Sequence, residues 1–321
     1  MLPNKQMLEL KANLSSIVEH IKDKDNVIFI DYPLYHNVGD LLIFQGTQKF
    51  FKDNGIKVKM YRSALDYNVD ELKKYIDSKT TLICQGGGNF GDLYDAHQNV
   101  RLSLVTHFKN NRIIILPQTA HFSNENKLNL NVEIFKQHTD VILFARDKNT
   151  FELFQRFTDK VHLMPDMAHQ LYGVLPVTTE EKNNTLYFLR VDKEKNDLQQ
   201  AFMSNNEIQS IDWEDFVTPK EFRYEHILSK VSRLANKVNS TFLKNIVYQL
   251  WNNHSLRVVN RSALYFSQYD FIITSRMHGH ILSCLVNRSN KVIDNSYGKN
   301  SGYFNEWTKK TQLGSLLSKE E

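Results

Sequence analysis

Short apolar runs alternate with longer helical patterns along almost the whole chain, and this alternation restricts the fold more than any other feature. Residues 27–30, 81–84, 113–116, 141–144 and 161–164 are rich in branched or aromatic side chains, and each is followed by a loop, as buried strands are. Helical patterns fill the gaps, one over 40–53 stopped by Asn54-Gly55 and another over 92–109. Such alternation predicts βαβ units and a mostly parallel sheet. The polar stretch 175–184 reads as a linker, and further strands follow at 185–189, 271–274 and 291–293. The expectation is an α/β chain of two Rossmann-like, doubly wound domains, 1–176 and 185–321, with a cleft between them.

Composition narrows the class. With 41% hydrophobic and 12% aromatic residues over 321 positions, the chain can bury a large core, which argues against disorder. The net charge of +4 is mild. Cys84 and Cys284 lie in apolar surroundings and read as buried thiols, with neither a disulfide framework nor zinc-ligand spacing. The beginning Met-Leu-Pro-Asn-Lys-Gln lacks a signal-peptide pattern, and no apolar run approaches the ~18 residues of a membrane span. A cytoplasmic protein is expected.

The stretch 220–261 stands apart, with eight Lys or Arg against two Glu, interleaved with Phe242, Ile246, Val247, Tyr248, Leu250 and Trp251. It reads either as a helical insertion docked by its apolar face or as an interfacial helix resting on anionic lipid. No nucleic-acid recognition module is present.

In open α/β sheets ligands bind beyond the carboxyl ends of the strands. The first such loop is Asp31-Tyr32-Pro33-Leu34-Tyr35-His36-Asn37-Val38-Gly39-Asp40, where Asn37 and Asp40 can cap the next helix and His36 and Asn37 face the cleft. The next is Gln85-Gly86-Gly87-Gly88-Asn89-Phe90-Gly91-Asp92. It satisfies G-x-G-x-x-G, yet the following strand ends Leu116-Pro117-Gln118-Thr119 without the acid a dinucleotide site requires. The glycines instead let backbone N–H groups approach an anion. Arg146 and Arg190 each end a strand and suit a carboxylate or phosphate. Asp166 closes another strand, where it can orient a partner. At Thr274-Ser275-Arg276-Met277-His278-Gly279-His280 a strand runs into a helix, placing an arginine and a proton-transfer group at a helix N-terminus.

Taken in order, Asp31-Tyr-Pro, Asn37-Val-Gly-Asp40, Gln85–Asp92, Leu116-Pro-Gln-Thr119, Arg146-Asp147, Pro165-Asp166-Met-Ala-His-Gln170, Ser275-Arg-Met-His278 and Asp294–Lys299 resemble the polysaccharide pyruvyl transferase family, particularly its bacterial exopolysaccharide branch. The resemblance implies a GT-B-like fold, phosphoenolpyruvate as co-substrate, and transfer of its pyruvyl group onto two sugar hydroxyls as a ketal, with no cofactor or metal. It implies His278 as the catalytic group, with Arg276 beside it. Donor contacts are expected from Arg146, Arg190, Asn37, Gly86, Gly87, Gly88 and Asn89. Acceptor contacts are expected from His36, Asp40, Asp92, Gln118 and Tyr297. The acceptor is expected to be a sugar or lipid-linked oligosaccharide, with a peripheral membrane contact through 220–261. The rival readings are a nucleotide-sugar glycosyltransferase on the same architecture and a non-catalytic assembly scaffold.

Overall fold

The computed structural model describes residues 3–179, 182–191, 197–206, 208–294 and 298–318. The first lobe holds strands β1 (Val27–Ile30), β2 (Val58–Arg62), β3 (Thr81–Cys84), β4 (Gly87–Gly91), β5 (Arg112–His121), β6 (Val141–Ala145) and β7 (Val161–Leu163). They form one parallel sheet in the order β2-β1-β3-β5-β6-β7, with β4 paired to β5. The second lobe holds β8 (Lys182–Phe188), β9 (Tyr269–Thr274), β10 (Ser289–Val292) and β11 (Gly314–Leu316), parallel and neighbours in chain order.

The helices are α1 (Lys5–Asn13), α2 (Val38–Asp53), α3 (Val69–Leu72), α4 (Asp95–His107), α5 (Glu125–Lys136), α6 (Lys148–Phe154), α7 (Asp197–Asn206), α8 (Pro219–Lys237), α9 (Thr241–Phe266), α10 (Met277–Leu285) and α11 (Lys299–Tyr303). Every residue of β1 and β3 is buried, as parallel strands covered on both faces require. One apolar cluster runs from β1 through α2 and α9 to α10, so the lobes share a core. The α/β plan with parallel sheets read from the sequence is the one observed. Cys84 and Cys284 are buried free thiols, each pushed up to about 12 by burial.

Two local expectations change. The stretch 87–91 does not turn onto a helix: it forms β4, and α4 begins only at Asp95. Gly91 explains why, because at φ 131° its backbone approaches β5 so closely that a Cβ would sit 1.7 Å from the His121 carbonyl oxygen. Only glycine permits that pairing. The basic stretch is a helical hairpin, and α9 packs on α2 and β2. Val247 and Trp251 are fully buried there, Trp251 Nε1 donates to the Pro33 carbonyl, and Tyr248 stacks on Tyr61 at 3.8 Å. Phe242 and Leu250 point outward instead. Among the described residues no helix is long and apolar enough to cross a membrane.

Candidate active site

Between the lobes lies a cavity of about 500 Å3, lined by residues that follow β1, β3, β6, β8, β9 and β10. It opens where the strand order reverses between β1 and β3, the switch point at which such sheets bind ligands.

His278 enters this cavity from the first turn of α10. Its Nε2 lies 3.4 Å from Asp166 Oδ2, a close approach without hydrogen-bond alignment. Gly39 of α2 backs the ring, and a Cβ there would sit 2.6 Å from Nδ1. Arg146 is buried, with Nη1 donating to Asp166 Oδ2 at 2.5 Å and Nε to Thr119 Oγ1 at 2.9 Å. Its Nη2 faces Gly88, where an added Cβ would lie 3.1 Å from it and 3.1 Å from Lys299 Nζ. Burial alone would raise the Asp166 pKa. Contact with His278, the Arg146 charge and the Ala168 N–H outweigh it and hold the carboxyl well below its usual range. Asp166 is therefore an anion that fixes Arg146 and lies against the His278 ring.

Three further cations reach the wall: Arg190, Arg276 and Lys299. The Arg190 backbone N–H donates to Ser275 Oγ, which pins the end of β8 beside β9. Arg276 forks onto Asp212, with Nε to Oδ1 at 2.8 Å and Nη2 to Oδ2 at 2.5 Å. Four cations around one small cavity suit a ligand with several negative charges.

Most of the expected residues meet here: His278, Arg276, Arg146, Arg190, Asn37, Gly88, Asn89, His36 and Asp40 all line the cavity. Asn37 also caps α2, accepting from the Gly39 and Asp40 N–H groups. His36 has both ring nitrogens engaged, Nδ1 with Glu225 at 2.6 Å and Nε2 with His254 at 2.8 Å, so its imidazole shapes the wall. Asp40 accepts from the Tyr35 hydroxyl at 3.1 Å.

Four expectations are corrected. Gly86 and Gly87 do not line the cavity; Gly86 packs on the Pro117 carbonyl, and Gly87 belongs to β4. Asp92 accepts from the N–H groups of Ser123 and Asn124, just before α5, and lies outside the cavity. Gln118 is buried, donating to the Gln85 carbonyl at 2.9 Å. Tyr297 lies outside the described residues. His280, two residues past His278, is sealed between Asn290 and Thr308, and burial lowers it to about 4.

Sequence reasoning missed His97, Tyr94, Trp213 and the contact made by Lys299. His97 Nδ1 lies 2.6 Å from Asp31 Oδ1, whose carboxylate accepts. Asp31 holds an unusual φ of 69° at the end of β1, and Arg101 also contacts it at 3.3 Å. A lone histidine inside a helical pattern carries no local signal of this partnership. A second chamber of about 550 Å3 adjoins the first, sharing Gly88, Tyr94 and Lys299, with Leu93, Asn149 and Asn305 on its walls.

A histidine beside an arginine-bound aspartate, ringed by cations between two parallel sheets, suits an anionic ligand. The chain belongs to the polysaccharide pyruvyl transferase family, whose model matches residues 37–297. It is 38% identical to EpsO of Bacillus subtilis (strain 168), provisionally named a pyruvyl transferase, over 98% of this chain and 96% of that one. It is 27% identical to Pyruvyl transferase 1 of Schizosaccharomyces pombe, over 88% of this chain and 69% of the relative. Its fold resembles the crystal structure of KP1_0663 from Klebsiella pneumoniae, with a TM-score of 0.61 at 18% identity, covering 96% of this chain and 98% of that one.

Proposed function

We propose that this transferase moves the pyruvyl group of phosphoenolpyruvate onto two hydroxyls of a polysaccharide sugar. The methylene carbon of the donor gains a proton, and one sugar hydroxyl adds at C2. A second hydroxyl of the same sugar then displaces phosphate and closes the ketal, its proton leaving with the phosphate. Arg146, Arg190, Arg276 and Lys299 neutralise the donor's carboxylate and phosphate. His278, placed against Asp166, supplies the proton as general acid and takes part in its return as base. His97 meets the acceptor from the first-lobe wall. The rest of the glycan occupies the second chamber, where Leu93 and Tyr94 offer an apolar platform and the Asn149 and Asn305 amides suit sugar hydroxyls. The enzyme works in the cytoplasm and touches the inner membrane face through residues 220–261.

The observation that carries this reading is the convergence of His278, Asp166 and four cations on one small cavity in a chain of this family. Incubating the protein with phosphoenolpyruvate and candidate glycans, then weighing the glycans by mass spectrometry, tests it. The expected result is the mass gain of a cyclic pyruvate ketal with release of one phosphate. Release of nucleotide from an activated sugar, with phosphoenolpyruvate untouched, overturns it in favour of a glycosyltransferase.

A further inference from the structure

Sixteen large apolar side chains are exposed over the described chain, and eight of them fall within 222–264, on the α8–α9 hairpin. A concentration of that kind on a surface otherwise ordinary marks an interaction face. Ile227, Leu234 and Val238 form a stripe along α8, 58%, 55% and 57% exposed, and Phe242 opens α9 at the hairpin tip, 73% exposed.

Beside the stripe, on the same outer arc of α8, lie Arg223, Lys230, Arg233 and Lys237. None of these four has a carboxylate partner among the described residues, whereas the acids of α8 turn away from them: Glu221 binds Arg261 and Glu225 binds His36. The outer arc is therefore purely cationic and apolar. Two copies of this face set against each other would bring like charge against like, which opposes their pairing. Cations interleaved with exposed aliphatic and aromatic side chains, on a helix too polar to span a bilayer, fit the headgroup layer of an anionic membrane.

The inner side of the hairpin touches a residue that lines the cavity. His254 of α9 lines a shallow groove between α8 and α9, His36 lines the cavity, and their Nε2 atoms are 2.8 Å apart. The two imidazoles thus link the two walls, and Glu225 binds the His36 N–H and Nδ1 together.

We infer that the outer face of α8 with the tip of α9 is a peripheral docking surface for anionic lipid, which holds the cavity close to acceptors presented at a membrane. This deepens the membrane contact in the reading above, and its test requires no turnover. The full chain is sedimented with phosphatidylcholine vesicles and with vesicles one-third phosphatidylglycerol, at low and high salt. Binding is expected only to the anionic vesicles, weakened by salt. Replacing Lys230, Arg233 and Lys237 together by Gln is expected to weaken it by about 100-fold, at about tenfold per 1.4 kcal/mol and roughly 1 kcal/mol per cation near the surface. Phe242→Ser is expected to weaken binding while leaving its salt dependence intact. Thermal unfolding and phosphate release in solution stay unchanged in these variants, since none of the four residues touches the cavity. Equal binding to both vesicle types, no binding to either, or salt-sensitive binding to heparin without binding to vesicles overturns the inference. If ketal formation fails while vesicles still bind, the reaction reading alone falls.

Discussion

Two clusters of buried charge are built around first-lobe residues, and they differ in where their spare donors go. Arg62 forks onto Glu71 at 3.0 and 2.6 Å, and its remaining N–H groups reach the Tyr61 carbonyl and Asn245. Lys244 of α9 spends its three protons on Glu71, the Asp66 carbonyl and Asn236. That cluster is closed, and it clamps the hairpin to the first lobe. In the Arg146–Asp166–His278 cluster the carboxylate is held by Arg146 and the Ala168 N–H instead, and Arg146 and His278 face a cavity. Burial of charge does not by itself mark a site. Donors aimed at open space do.

The largest expected effect tests the closed cluster. Lys244→Met leaves Glu71 underpaired, and the urea midpoint should report a loss of about 3–5 kcal/mol. The activity per folded molecule should hold; a stable but inactive variant would erase the contrast. In the open cluster, Arg146→Lys keeps the charge on Asp166 and loses the fork. Its kcat/KM for phosphoenolpyruvate should fall by about 1.5–3 kcal/mol, the worth of a charged hydrogen bond, with little change in urea midpoint. Gly39→Ala pushes a methyl against His278 Nδ1. Steady-state kinetics should show a drop in kcat of about tenfold or more, because small misplacements of a reacting group are costly, while KM for phosphoenolpyruvate holds.

The smallest effect is a pH dependence. Burial would raise the Glu71 pKa, but hydrogen bonds from Arg62, Lys244 and Thr241 lower it from 4.5 to about 2. A depressed carboxyl contributes stability that is complete above its unfolded pKa and is lost as pH falls through the folded value. Unfolding midpoints of Glu71→Gln should therefore lose part of the wild-type fall between pH 4.5 and 2. Matching acid profiles for the two proteins would show that this clamp carries no proton-linked stability.

The sequence made the central strands legible because their apolar runs are continuous: β1 and β3 lie where residues 27–30 and 81–84 place them. It hid β2, β4 and β11. The glycines of β4 carry no strand propensity, and only the neighbour β5 makes that segment a strand. Lys244 looked like part of a solvated basic face, since nothing local announces Arg62 and Glu71, which lie over 170 positions away. At the site, strand-end arginines and the Arg276–His278 junction were legible because charge at the end of an apolar strand has few structural uses. His97 was not, because its meaning depends on Asp31, a tertiary partner held at the edge of β1. Gln118 and Asp92 fell in conspicuous motifs yet serve the backbone.

The account rests on His278 as the proton-transfer group of a donor site, and His278→Asn separates that role from binding. Titrating phosphoenolpyruvate against the fluorescence of Trp213, which lines the cavity, and measuring phosphate release from the same preparation gives both quantities. Unchanged donor affinity with release slowed by about 10²–10⁴-fold is the predicted result. A folded His278→Asn protein that binds the donor and releases phosphate at the wild-type rate would contradict it.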